Sequence, residues 1–155
     1  MTVALRPLTR GDAPWLDLWL PISADSAGYD RPPGARAILE RSRTERGLKA
    51  RVIARGEDPI GLALYHTRTP GREAARFEIV VLEPSAARCG YGLRAAALVE
   101  DEMLAAGART AFAPAPAAHG IDVYFWIRLG YRPLLRGEWP CERPGVAWLA
   151  RDLGA

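Results

Sequence analysis

This chain of 155 residues has no long apolar run, and with that goes any membrane-spanning helix, which needs roughly 20 consecutive apolar residues. The N-terminus also lacks the basic stretch and apolar core of a secretory signal, so the expectation is a soluble, cytoplasmic protein with no membrane partner. Cysteine is scarce: Cys89 and Cys141 make neither a disulfide framework nor a metal-ligand set. Lysine is scarcer, Lys49 alone, so the formal charge of +3 and pI of about 9.2 rest on arginines. These are scattered rather than gathered into a stripe, which argues against a nucleic-acid partner. There is no internal repeat, low-complexity tract or linker, and the length suits one domain over 1–155 with an adequate core.

What is present is an alternation of strand and helix signals. Strands are expected at Val3 to Leu8, Ala50 to Arg55, Ile60 to Thr67, Ala75 to Leu82, Arg109 to Ala113, Tyr131 to Leu135 and Val146 to Ala150. A first helix starts with Asp12 as its cap and Pro14 in its first turn, and a loop runs from Pro21 to Gly34. Further helices are expected from Ala35 to Arg46, from the Gly90 loop to Ala106, and from Pro116 to Leu129. Gly56 to Pro59 reads as a hairpin turn between the second and third strands. The sum is an α/β fold with a mixed sheet.

The densest signal is Leu82-Glu83-Pro84-Ser85-Ala86-Ala87-Arg88-Cys89-Gly90-Tyr91-Gly92-Leu93-Arg94, where an apolar strand passes into a helix through two glycines. Such a loop lets backbone N–H groups approach a ligand closely, and the helix start adds unpaired N–H groups and a positive dipole end. It reads as an anion or phosphate site with Arg88 as a second contact, although neither the Walker lysine nor the third dinucleotide-fold glycine is present. Cys89 stands at the helix start, but with no histidine close in sequence it reads as a small packing residue.

The order of elements and two motifs resemble the GCN5-related N-acetyltransferase (GNAT) superfamily over nearly the whole chain. The family's pyrophosphate loop is Gln or Arg, two residues, Gly, one residue, Gly or Ala; here the frame reads Ala87-Arg88-Cys89-Gly90-Tyr91-Gly92. Both glycine positions match, while Ala87 replaces the basic or amide residue and the arginine falls one place later. Phe125-Trp126-Ile127-Arg128-Leu129-Gly130-Tyr131 is similar to the family's Phe-Tyr-x-x-x-Gly-Phe. The resemblance implies a mostly antiparallel mixed sheet with one splayed parallel strand pair, flanked by helices. It implies acetyl-CoA as acyl donor, bound near Leu82 and by Ala87, Arg88, Cys89, Gly90, Tyr91, Gly92 and Leu93, with His119 and Trp126 beside it.

Transfer to an amine needs a proton acceptor, and the Glu78 carboxyl in the apolar Phe77-Glu78-Ile79-Val80 strand is the candidate general base. The alternative is a surface ion pair with an arginine such as Arg76 or Arg51. Glu83 is expected on the opposite face from Glu78 and Leu82, toward solvent or the loop. Trp126 stands where many family members keep an acidic tyrosine, and an indole offers no useful proton. Tyr124 points away from Trp126 on the helix and reads as packed or exposed. His119 serves as a proton donor, as a mere cofactor contact or as a helix cap, and His66 reads as a surface or sheet histidine. Trp15, Trp19 and Tyr29 are candidates for an acceptor pocket, with Asp25 or Asp30 attracting an amine, against a core reading for the two tryptophans. Trp139, Pro140 and Cys141 are a second candidate wall. The expected function is transfer of acetyl from acetyl-CoA to a small-molecule or peptide amine by direct attack, in a monomer or homodimer. A non-catalytic acyl-CoA-binding or regulatory module is the alternative.

Overall fold

The computed structural model describes residues 2–23, 33–87, 89–116 and 120–154. Its centre is a seven-stranded sheet: β1 (Val3–Pro7), β2 (Leu48–Arg55), β3 (Asp58–Thr67), β4 (Ala74–Leu82), β5 (Thr110–Pro116), β6 (Arg132–Pro133) and β7 (Val146–Asp152). The order across the sheet is β1-β2-β3-β4-β5-β7-β6, and every neighbouring pair is antiparallel except β4 and β5. Helices α1 (Ala13–Ser23) and α2 (Ala35–Thr44) cover one face through Leu16, Leu20 and Ile38 packed on Leu62, Leu64, Ile79 and Val81. Helices α3 (Tyr91–Ala105) and α4 (Gly120–Arg128) cover the other, where Val99, Met103 and Trp126 meet Tyr65, Phe77 and Ala113. Two apolar layers on one central sheet are what the alternating patterns require. No helix among the described residues is long and apolar enough to cross a membrane.

The sequence reading needs several corrections at element ends. Asp12 does not cap α1: it closes a 3-10 turn at Arg10–Asp12, and its carboxylate accepts from the Thr9 N–H at 2.8 Å and from Arg6 at 2.7 Å. Pro21 lies inside α1, whose last turn continues to Ser23 over buried Trp19 and Leu20. The next helix ends at Thr44 rather than Arg46, because Glu45 is already extended. Pro116 ends β5 instead of opening a helix, and β6 shrinks to two residues.

Two departures from regular pairing shape the middle of the sheet. β4 and β5 pair only from Ala74↔Thr110 to Arg76↔Phe112, although β4 runs on to Leu82 and β5 to Pro116. Beyond that point the strands part, and β5 explains how. Pro114 lies opposite Trp148, whose carbonyl accepts from Leu134 on the far side. The Pro114 and Pro116 backbones therefore turn toward β4, and neither has an N–H to offer across the opening.

The second departure is a bulge. Leu64 pairs with Ile79 and Tyr65 with Phe77, which leaves Glu78 as the extra residue of β4. A bulge slips the two-residue alternation by one. Phe77, Val80 and Leu82 consequently join the α3/α4 layer, while Ile79 and Val81 join the α1/α2 layer. The expectation that Glu78 and Leu82 share a face is thereby overturned. Glu83, expected to face solvent or the loop, accepts from the Ser85 hydroxyl of the loop at 3.1 Å and also from the Trp15 indole of α1 at 3.3 Å.

Candidate active site

The opening between β4 and β5 has unequal edges. The Glu83 N–H donates to the Ile60 carbonyl on β3, so by alternation the backbone groups of Val80 and Leu82 face the opening, where no strand meets them. Backbone groups in that position call for a partner that carries amides of its own. The mouth is formed by the first turn of α3: a Cβ on Gly92 would stand 3.3 Å from the Phe125 ring and 3.8 Å from the Leu82 side chain. No side chain of the described residues caps α3. Its first N–H groups, at Tyr91, Gly92 and Leu93, therefore lack the partner a side-chain cap would supply. Gly90, the residue before the helix, has φ of +80°, and a Cβ there would meet nothing within 4 Å. This is the geometry of an anion cradle at a helix start.

Of the residues expected around that cradle, Ala87 and Cys89 are exposed, and the Cys89 thiol donates to the Ala87 carbonyl at 3.6 Å. Leu82, Tyr91, Gly92 and Leu93 are half-buried. Arg88 and His119 lie outside the described residues, as do Asp25, Tyr29 and Asp30. Trp126, expected at the ligand, is 4% exposed, with its ring 4.7 Å from Phe77 and its N–H donating to the Pro114 carbonyl at 2.9 Å. It closes the opening from beneath, and its one proton is engaged. Tyr124 is exposed. Trp19 is buried against the neighbouring Trp15, in line with the core reading.

Glu78 points from the bulge to the α1/α2 side. Arg41 of α2 donates to both carboxylate oxygens at 2.8 and 2.9 Å, and His66 of β3 stands 3.0 Å from one of them. The anticipated ion pair thus exists, but with Arg41 rather than Arg76 or Arg51; Arg51 pairs instead with Glu102 at 3.0 Å. The Arg41 guanidinium is held above its ordinary range by its hydrogen bonds to Glu78 first and Glu45 second. Arg143, from the segment before β7, donates to the Glu78 backbone carbonyl at 3.1 Å. Carboxylate, imidazole and guanidinium therefore meet where β4 and β5 part. His66, read as a sheet histidine, belongs to this group and is 6% exposed.

Arg41 and Arg143 were not picked out by sequence reasoning as members of this site. Arg41 carried a signal: it continues the stripe of Ala35 and Ile38, both buried, at helical spacing, and a charge on an apolar stripe asks for a buried partner. Arg143 carried none, since the segment before β7 has no periodicity to orient it.

No protein-family model and no curated protein sequence matches the chain. Solved structures do. An acetyltransferase from Thermus thermophilus is 22% identical, with a TM-score of 0.78 over 98% of this chain and 97% of that one. A GNAT-family acetyltransferase from Staphylococcus aureus is 11% identical, with a TM-score of 0.78 over 98% of this chain and 99% of that one. The aminoglycoside acetyltransferase AAC(6')-Ib in complex with coenzyme A is 13% identical, with a TM-score of 0.79 over 97% and 95% of the two chains. Those matches span both helical layers and the parted strands alike, so the chain has the fold of the GCN5-related N-acetyltransferases.

Proposed function

We propose that this chain is an acyl-CoA-dependent N-acyltransferase, a one-domain enzyme that moves acetyl from acetyl-CoA to a small-molecule or peptide amine. The observation that carries the reading is the parallel pair that parts after Arg76 and Phe112, with the uncapped start of α3 at its mouth. The residues suit the donor: the backbones of Val80 and Leu82 would meet the pantetheine amides, and the N–H groups that follow Gly90 would hold the pyrophosphate. Ala87 contributes no side chain there, so the cradle works through the backbone. That the neighbours are acetyltransferases, one of them in complex with coenzyme A, supports the same donor.

In this reading the amine attacks the thioester carbonyl, a C–N bond forms, the C–S bond breaks, and the thiolate takes a proton from water. Glu78 receives the amine proton directly or through water, with Arg41 and His66 fixing the direction of its carboxylate. Positioning of amine and thioester in one slot supplies a large share of the rate. Trp126 gives no proton, because its N–H is held by Pro114.

Calorimetric titration with acetyl-CoA, followed by thiol release across amines, tests the reading. Binding with turnover is expected. Failure to bind any acyl-CoA would refute it, and binding with no turnover on any amine would put a non-catalytic module in its place.

A further inference from the structure

We infer that the acceptor amine also carries a carboxylate, and that Arg76 is the residue that holds it; this deepens the acyltransferase reading and rests on it for the transfer step. Arg76 is the last β4 residue paired to β5 and lies opposite His66 on β3. Its neighbours Ala75 and Phe77 belong to the α3/α4 layer, so its side chain rises on the α1/α2 side, the side of the Glu78 carboxyl. Several arginines of the described residues meet acids: Arg6, Arg41, Arg51, Arg136 and Arg151 each donate to a carboxylate. Arg76 does not. Its guanidinium donates to the Cys141 thiol at 3.4 Å, a weak acceptor, and its Nε is buried with no partner among the described residues.

A guanidinium so placed keeps one N–H, at Nε, that neither water nor any acid of the described residues meets. A carboxylate offers the matching fork, two oxygens to two N–H groups. The local charge points the same way. Arg41 donates to the Glu78 carboxylate, Arg143 donates to the Glu78 backbone carbonyl, and Arg76 stands two positions earlier on the same strand, so guanidinium groups gather at this stretch of β4. Such a lining disfavours acceptors that are cationic throughout, and favours one that carries a negative group. Arg76 and Glu78 lie two positions apart on one strand, less than about 7 Å along its axis because the bulge shortens the step, so one small molecule can present its amine to Glu78 and its acid to Arg76.

The test is equilibrium binding to the intact protein, followed by NMR, of glycine, alanine, glutamate and phenylalanine, each against its own α-carboxamide, with putrescine as a dication. The acids are expected to bind about tenfold or more tightly than their amides. Arg76→Gln should erase that preference and Arg76→Lys should keep part of it. Equal binding of acid and amide, tighter binding of putrescine, or no saturable binding of any acid overturns the assignment. The wild-type comparison stands even if a variant fails to fold. Acetyl-CoA titration of the same sample separates the two readings. Acid preference without acyl-CoA binding keeps Arg76 and sinks the acyltransferase, whereas acyl-CoA binding without acid preference does the reverse.

Discussion

Replacing Gly90 separates a conformational role from a steric one. Its φ of +80° lies in the left-handed region, and a Cβ there meets nothing within 4 Å, so any effect of a side chain arises in the backbone. An alanine that keeps this conformation costs about 1–2 kcal/mol of stability and leaves the N–H groups of Tyr91 and Gly92 aimed as before. A valine, β-branched, is expelled from the left-handed region and re-aims them. Losing one hydrogen bond to a charged phosphate costs about 1.5–3 kcal/mol, or roughly 10- to 150-fold in affinity. Gly107 is the internal control: it follows the other end of α3 with φ of +99° and open space around its Cβ position. Urea unfolding and acetyl-CoA calorimetry on Gly90→Ala, Gly90→Val and Gly107→Val complete the comparison. Both valine variants should lose stability, and only Gly90→Val should lose affinity. If Gly90→Val binds acetyl-CoA within twofold of the parent, or Gly107→Val weakens binding as much, the cradle is misplaced.

Glu78→Gln should lower turnover by about 100-fold or more and leave acetyl-CoA affinity within about twofold, and unchanged turnover removes Glu78 from the chemistry. The Asp12 carboxyl is lowered to about 2 by its hydrogen bond from Arg6, so its contribution is present above the unfolded value of 3.8 and is lost as pH falls toward 2. Since the Arg6 side chain is 41% exposed, Asp12→Asn should cost about 1 kcal/mol at pH 7 and nothing near pH 2, read by urea unfolding at both. Tyr131 and Tyr65 are both pushed above the ordinary 10.0, chiefly by burial and then by donating to Glu100 and Glu102. Above pH 10 the unfolded chain releases protons the folded one keeps, so stability should fall by about 1.4 kcal/mol per pH unit for each tyrosine, and Tyr131→Phe should remove one share of that slope.

Much of the architecture was legible because it rests on local chemistry. Glycines, prolines and the two alternation periods announced the elements, and the two motifs announced the fold. The errors have physical causes as well. Alternation put Glu78 and Glu83 on opposite faces because a bulge is a property of two strands and cannot be seen in one. The strand was expected to stop at Ala113 and a helix to open at Pro116, since only the neighbour's departure lets proline sit in the middle of a sheet. Glu78 was found as an acid within an apolar strand, whereas its partner Arg41, 37 residues away, was not. Sequence spacing does not say which turn of α2 will cross the bulge.

The prolines of β5 also bear on kinetics. A strand with no N–H to offer across the opening cannot zip onto β4, so the slot stands open as soon as the chain has folded. An acyl-CoA arriving there has no ladder to unpick, and its association should be governed by encounter rather than by a prior rearrangement. In a stopped-flow experiment the observed rate should then climb linearly with acyl-CoA concentration, without the plateau that a gated site imposes. A change in the rate of entry would have to be sought elsewhere around the slot, because Pro114 and Pro116 already leave this edge of β5 without an N–H to close it.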